Sequence, residues 1–255
     1  MPWVTQQDIR QGLLRLGLKG GDTVLVHSSL SSFGWVEGSA SAVVEALLQV
    51  LKEGGTLIAP TFSYYLQGDE KVWDREHTPS RMGVISETVR TWPGALRSNH
   101  AAHPLAAIGL HAPLICRRPH KTGFGPDSPF FTLVELGAFI LLMGVGYNSC
   151  TFFHLLEAKV EVPYRYLEER KATVIVDGVR DEHGSAWEYT RRPGARNDFV
   201  PLGRALEERQ MVRQTRVGDS ELRLFRAADA YQVGLEIMGQ DPLFLLTQES
   251  RADWQ

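Results

Sequence analysis

The chain has 255 residues, 43% of them hydrophobic and 22% charged, with a formal net charge of −3. That balance suits the core of one large α/β domain or two small ones. It argues against nucleic acid as the main partner, and no apolar run reaches the length of a membrane span. Two cysteines, Cys116 and Cys150, make no disulfide framework, and the N-terminal segment carries charges throughout instead of a signal-peptide core, so a cytoplasmic location is expected.

In chain order, Thr5 and Asp8 read as a hydroxyl cap and an acidic first turn, followed by an apolar stripe of Ile9, Leu13, Leu14 and Leu16 that Gly17 ends. A short β-branched strand is expected over 23–26. The hydroxyl-rich loop His27, Ser28, Ser29, Leu30 and Ser31 sits at its C-terminal end, with Ser39 capping a helix over 40–51. Such a loop beside a helix N-terminus is either an anion cradle or a set of helix-capping turns. A strand over 56–59 runs into Thr61, Phe62 and Ser63. The polar, aromatic stretch 64–81, with Tyr64, Trp73 and Asp74, has the character of a substrate loop.

A helix is expected over 84–92 and a strand over 106–109. Arg97 between them suits either a phosphate or a surface ion pair. Ser128 and Pro129 cap and open a helix reaching about residue 136. Further on, a hairpin is expected from 173–176 through an Asp177-Gly178 turn to a strand near 186–190. Helices over 199–210 and 227–238 flank a strand over 214–217, and the tail from Gly239 is expected to pack loosely. The whole is one unit: an α/β core to about residue 160, then a mixed α+β part over 161–255.

The chemistry falls at 150–162. The apolar run 139–145 reads as a buried strand, broken by Gly144 and Gly146, and Ser149 or Thr151 can cap the helix that follows. His154 lies three residues after Thr151 and Glu157 three after His154. All three therefore share one helix face at the C-terminal mouth of a strand. An imidazole there can take and return a proton while the carboxylate fixes its tautomer. The same spacing also suits a surface pair or a structural hydrogen bond. The H-E-x-x-H pattern is absent and no metal is expected. Cys150 is either half of a Cys–His nucleophile pair or a buried inert thiol.

Together these stretches resemble the aminoglycoside 3-N-acetyltransferase family. The resemblance rests on H-S-S-L-S at 27–31, G-T-L-I-A-P-T-F-S at 55–63, W-D…T-P-S-R-M-G at 73–83 and R-S-N-H at 97–100. It continues with G-P-D-S-P at 125–129, L-L-M-G-V-G at 141–146 and T-F-F-H-L-L-E at 151–157. The chain departs from the family at Ala101, where proline is usual, and at Pro104, where serine is usual.

The resemblance implies a three-layer-like α/β fold unlike the GNAT acetyltransferases, and transfer of acetyl from acetyl-CoA to an amine such as the 3-amino group of an aminoglycoside antibiotic. It implies His154 as general base, Glu157 as its orienting acid and Thr151 as a donor to the oxyanion. His27, Ser28, Ser29, Leu30, Ser31, Thr61, Phe62, Arg97 and Ser98 fall on the coenzyme surface. Tyr64, Trp73, Asp74, Glu161 and Glu188 are the candidates for acceptor contact, with residues 161–255 closing that pocket. Partners are then the amine and acetyl-CoA, with neither nucleic acid nor membrane, and the protein is a monomer or homodimer. The alternatives are an acyltransferase for another amine, a serine hydrolase using Ser28 or Ser29 with His154, and a non-catalytic coenzyme A-binding relative.

Overall fold

The structure is a computed structural model that describes residues 3–63 and 71–254; Tyr64 lies outside the described residues. A seven-stranded sheet runs Arg213–Val217, Ser220–Arg226, Phe139–Met143, Thr23–Ser28, Thr56–Pro60, Leu105–Gly109, Leu96–Arg97 from edge to edge. The three central strands are parallel and the flanking pairs antiparallel. Every residue of Thr56–Pro60 and Phe139–Met143 is buried, as expected of strands covered on both faces.

Strand alternation sorts the side chains into two cores. Val24, Val26, Leu57, Ala59, Leu141 and Met143 face one way, beneath the helices Gln6–Arg15, Ser39–Leu51 and Val84–Arg90. Leu25, Ile58, Ile140 and Leu142 face the other, beneath Pro129–Glu135, His154–Val160, Val200–Glu208 and Ala227–Gln240. The result is a three-layer α/β sandwich, in agreement with the expected fold class.

Several local expectations are met by hydrogen bonds. Thr5 and Asp8 form a reciprocal capping box, and Ser128 accepts from Phe131 N ahead of Pro129. Others are corrected. Leu14 is exposed, because it lies off the Ile9–Leu13–Leu16 face. Ser39 does not cap its helix: Gly38 holds the N-cap position at φ 75° and Ser39 itself is left-handed at φ 56°, so that helix end has no side-chain cap. The Asp177-Gly178 turn joins Thr173–Val176 to Val179–Asp181, not to the strand near 186–190. Ser185–Arg191 pairs instead with Arg165–Lys171, whose charged sequence hides a strand. The tail is not loose: Leu245 and Leu246 are buried, and Ser250 Oγ donates to Gly194 O and accepts from Arg196 N.

The helix Val200–Glu208 is seated against Tyr147 at Gly203, where an added Cβ would run into the tyrosine ring. Tyr147 in turn donates from its hydroxyl to Glu207 at 2.7 Å. Gly203→Ala must therefore push ring and helix apart, and is expected to cost about 1–3 kcal/mol of stability, read from the urea midpoint.

Candidate active site

Past Met143 the chain reverses at Gly144, which is left-handed at φ 67° and leaves no room for a Cβ beside Ser32. Two 3₁₀ turns follow, Tyr147–Ser149 and Thr151–Phe153, and the second runs straight into the helix His154–Val160. Neither Ser149 nor Thr151 caps that helix, since the preceding turn already continues its backbone. The Thr151 hydroxyl is buried without a partner among the described residues.

One helical turn brings His154 Nδ1 to 2.5 Å from Glu157 Oε2. Glu157 is 0% exposed, while the His154 side chain keeps 23% of its surface. Two residues from far along the chain complete the cluster. Arg165 Nε lies 2.9 Å from the same carboxylate oxygen, too bent for a good hydrogen bond, and Asn197 Nδ2 donates to Oε1 at 2.5 Å. Arg165 is held by Tyr189 O at 2.8 Å and Asn197 Oδ1 at 2.9 Å.

The donor inventory fixes the tautomer. Arg165 has only donors and Glu157 only acceptors, so the Nδ1 between them carries its proton towards the carboxylate. The 3.2 Å approach of Arg165 to Nδ1 is then cation proximity, not a hydrogen bond. Nε2 is left with its lone pair. The ring lies edge-on to Phe124 and Phe199, at 5.3 and 5.1 Å between centroids. It opens on a cavity of about 390 Å³ lined also by Asn148, Arg165, Arg191, Asn197 and Phe199.

Burial pushes the His154 pKa below its ordinary value. Glu157 works against this shift, and Arg165 reinforces it. For Glu157 burial alone would raise the pKa, but His154, Arg165 and Asn197 together hold it well below the carboxylate range. At neutral pH the cluster is a buried Glu157–Arg165 ion pair beside a neutral imidazole. Cys150 is buried and burial raises its thiol pKa, which favours the inert reading.

The other candidates divide between places. Ser28, Ser29, Leu30 and Ser31 line a groove of about 910 Å³, together with Trp3, Trp35, Gly38, Ser39 and Gly83. His27, by alternation, faces the His154 side. It is 4% exposed, its Nε2 has no partner among the described residues, and burial with the nearby His154 pushes its pKa down to about 3. Thr61, Arg97 and Ser98 do not line the groove. Arg97 donates to Thr61 Oγ1, to Thr61 O and to Thr78 O, clamping the segment at Thr78 to the end of the strand Thr56–Pro60. Ser98 Oγ accepts from Leu105 N, and Phe62 packs on His103 and Phe130.

Ala101 and Pro104, the departures from the family pattern, serve through their carbonyls, which accept from Ser63 and Thr61. Trp73 is fully buried and presents no surface to a ligand. Asp74 accepts from the amides of Glu76 and His77. Glu161 ends the His154 helix in a left-handed conformation, and Glu188 sits 3.7 Å from Arg170; neither lines the His154 cavity. The sequence does not single out Arg165, Asn197, Arg191, Asn148 or Phe199. The cluster of basic residues around Arg191 is the one local signal among them.

The histidine held by a buried acid thus sits at the C-terminal mouth of the parallel strands of an α/β sandwich, where sites of such folds usually lie. Residues 25–239 match the model of the family described as aminoglycoside 3-N-acetyltransferase. The chain is 36% identical over 249 residues to the SPbeta prophage-derived aminoglycoside N(3')-acetyltransferase-like protein YokD of Bacillus subtilis (strain 168), covering 89% of each. It is 34% identical to aminoglycoside N(3)-acetyltransferase IV of Salmonella sp, covering 92% of this chain and 87% of the relative. The apoenzyme of aminoglycoside acetyltransferase AAC(3)-IVa superposes with a TM-score of 0.82 at 30% identity, over 99% of this chain and 97% of that one. The chain belongs to the aminoglycoside 3-N-acetyltransferase family and is an acyltransferase of that type.

Two outcomes follow from the electrostatics. Arg165→Gln removes a cation beside His154, so the imidazole pKa should rise; the acid limb of activity then moves to higher pH, and an NMR titration of the His154 ring checks it. Burial also holds His27 near 3 and His100 near 4, well below the ordinary 6.5, so the unfolded chain binds more protons than the folded one in acid. Stability should be complete above pH 6.5 and decline as pH falls from 6.5 towards 4, seen as a falling urea midpoint.

Proposed function

We propose that the protein transfers acetyl from acetyl-CoA to an amine, with the 3-amino group of an aminoglycoside as the acceptor. The observation that carries this reading is His154: its Nδ1 is tied to a fully buried Glu157, its Nε2 has no hydrogen-bond partner among the described residues, and the residue lines a cavity. An ammonium cannot attack a thioester. The ammonium first gives one proton to solvent; a neutral imidazole then takes a second from the free amine as its nitrogen bonds to the thioester carbon, a contribution of about 10²–10⁴-fold. The carbonyl pair collapses onto oxygen, which needs a hydrogen-bond donor; the reading assigns that role to the Thr151 hydroxyl, which is buried and has no partner among the described residues. When the carbonyl re-forms, the C–S bond breaks and the proton passes from His154 to the departing thiolate. The base thus ends neutral and no covalent enzyme intermediate forms.

The serine-hydrolase alternative lacks its contact. Among the described residues no serine is bonded to His154, and Ser29 Oγ pairs with Ser31 Oγ instead. The two arginines at the His154 cavity support a second reading of the acceptor, because a polycationic aminoglycoside gains nothing from Arg191. An amine that also carries an anionic group would pair with it. A thiol-release assay with acetyl-CoA across aminoglycosides, simple amines and amino acids separates the two. Turnover confined to aminoglycosides supports the first, and turnover confined to anionic amines overturns it.

His154→Ala should lower transfer by at least about 10²-fold while coenzyme A still binds by calorimetry. Glu157→Gln should cost less than His154→Ala, because Glu157 orients the ring without accepting the substrate proton. Loss of coenzyme binding in the alanine variant would place His154 in the donor site and not in proton transfer.

A further inference from the structure

The groove around Ser28–Ser31 has an aromatic wall. The strands Trp3–Val4 and Trp35–Val36 pair in parallel, with Trp3 opposite Trp35 and Val4 opposite Val36. Alternation buries both valines, at 2% and 8% exposure, and turns both indoles outward, at 64% and 60%. The rings lie 5.9 Å apart at 32°. One exposed tryptophan is ordinary on a protein surface; two held side by side by their own small ladder, over a groove of about 910 Å³, call for a ligand with a flat face.

We propose that the Trp3–Trp35 pair is a purine-stacking platform that takes the adenine of the acetyl donor. The proposal rests on the reading of this groove as the donor site and adds which part of the donor it reads. The rest of the described lining is mixed, with Leu30, Val84 and Ile85 among its apolar residues, and carries no basic side chain. It offers the hydroxyls of Ser28, Ser29 and Ser31 and the side-chain-uncapped N-terminus of the 13-residue helix Ser39–Leu51. Glu37 is the one ionisable side chain among the described lining residues, and it already approaches Trp3 Nε1 at 3.4 Å.

With no lysine or arginine among those residues to grip phosphate, hydroxyls and backbone amides must serve the anionic part. They bind it more weakly than cations would, so affinity must come from elsewhere. A base stacked on an aromatic side chain contributes about 1–3 kcal/mol by alanine substitution. Glu37 adds an acceptor suited to an exocyclic amino group, and it repels phosphate from the tryptophan end. The ligand therefore lies with its base towards Trp3 and Trp35 and its phosphates towards Ser28–Ser31 and Ser39.

The test compares donors with and without the nucleotide. Trp35→Ala should raise KM for acetyl-CoA by about 5- to 100-fold with kcat little changed, whereas KM for acetyl-pantetheine should move far less; Trp35→Phe should restore most of the loss. Adenosine 3′,5′-bisphosphate should quench the tryptophan fluorescence of the wild-type protein and not that of Trp35→Ala, and pantetheine should quench neither. Equal KM increases for both donors would make Trp35 merely structural and overturn the proposal. So would unchanged coenzyme A affinity in Trp35→Ala, and so would a shift in sedimentation of the free protein, which would make the pair a contact between copies. If wild-type protein binds no coenzyme A by calorimetry, the donor reading itself fails.

Discussion

Everything at the site depends on keeping a carboxylate charged where no water reaches it. Glu157 is fully buried, and a lone carboxylate there would take up a proton rather than stay ionised. Arg165 prevents that by standing 2.9 Å away, and Asn197 and His154 Nδ1 supply hydrogen bonds to the two oxygens. Such a pair adds little net stability over an apolar substitute, but removing one partner typically costs about 3–5 kcal/mol. Its use here is orientation. A charged, immobile acid fixes which imidazole nitrogen carries hydrogen, and a cation at its side keeps that imidazole from holding a second proton.

The sheet distributes the rest. Alternation along Thr23–Ser28 puts Val24 and Val26 under one helical layer and Leu25 and His27 towards the other, and the strand then runs out into Ser28–Ser31. One strand therefore ends between two hollows: the groove with its serines and tryptophans, and the cavity at His154. A donor stretched from the first to the second would cross the C-terminal edge of the parallel strands. Ser32 ties this edge together by donating to Ser29 O at 2.6 Å and pairing with the Ser220 hydroxyl at 3.0 Å.

How much of this is legible depends on range. The capping box at Thr5 and Asp8, the Ser128 cap and the His154–Glu157 pair are contacts three residues apart, and helical spacing alone suffices for them. The strand Ser220–Arg226 also carries its signal, with Leu222 and Leu224 alternating against charged neighbours, yet it is not among the elements read from the sequence. Arg165–Lys171 carries almost none, because no position along it is fully buried and its partner strand is equally polar. Arg165 and Asn197 are invisible for a different reason. Nothing local to either residue indicates that the fold will deliver it to Glu157. Trp73 misleads in the opposite sense, since a polar neighbourhood in the chain conceals a packed neighbourhood in space.

The buried tail has a consequence for how the protein comes into being. Asn197 is not self-supporting: its side chain also donates to Leu245 O, Asp198 N donates to the same carbonyl, and Thr247 N donates to Arg196 O. The amide that grips Glu157 is thus fixed by a segment translated long after the histidine it serves. A nascent chain can close its parallel strands early. It holds no finished His154–Glu157–Asn197 cluster until that late segment emerges and docks, so the cluster and the completed fold arrive in the same event.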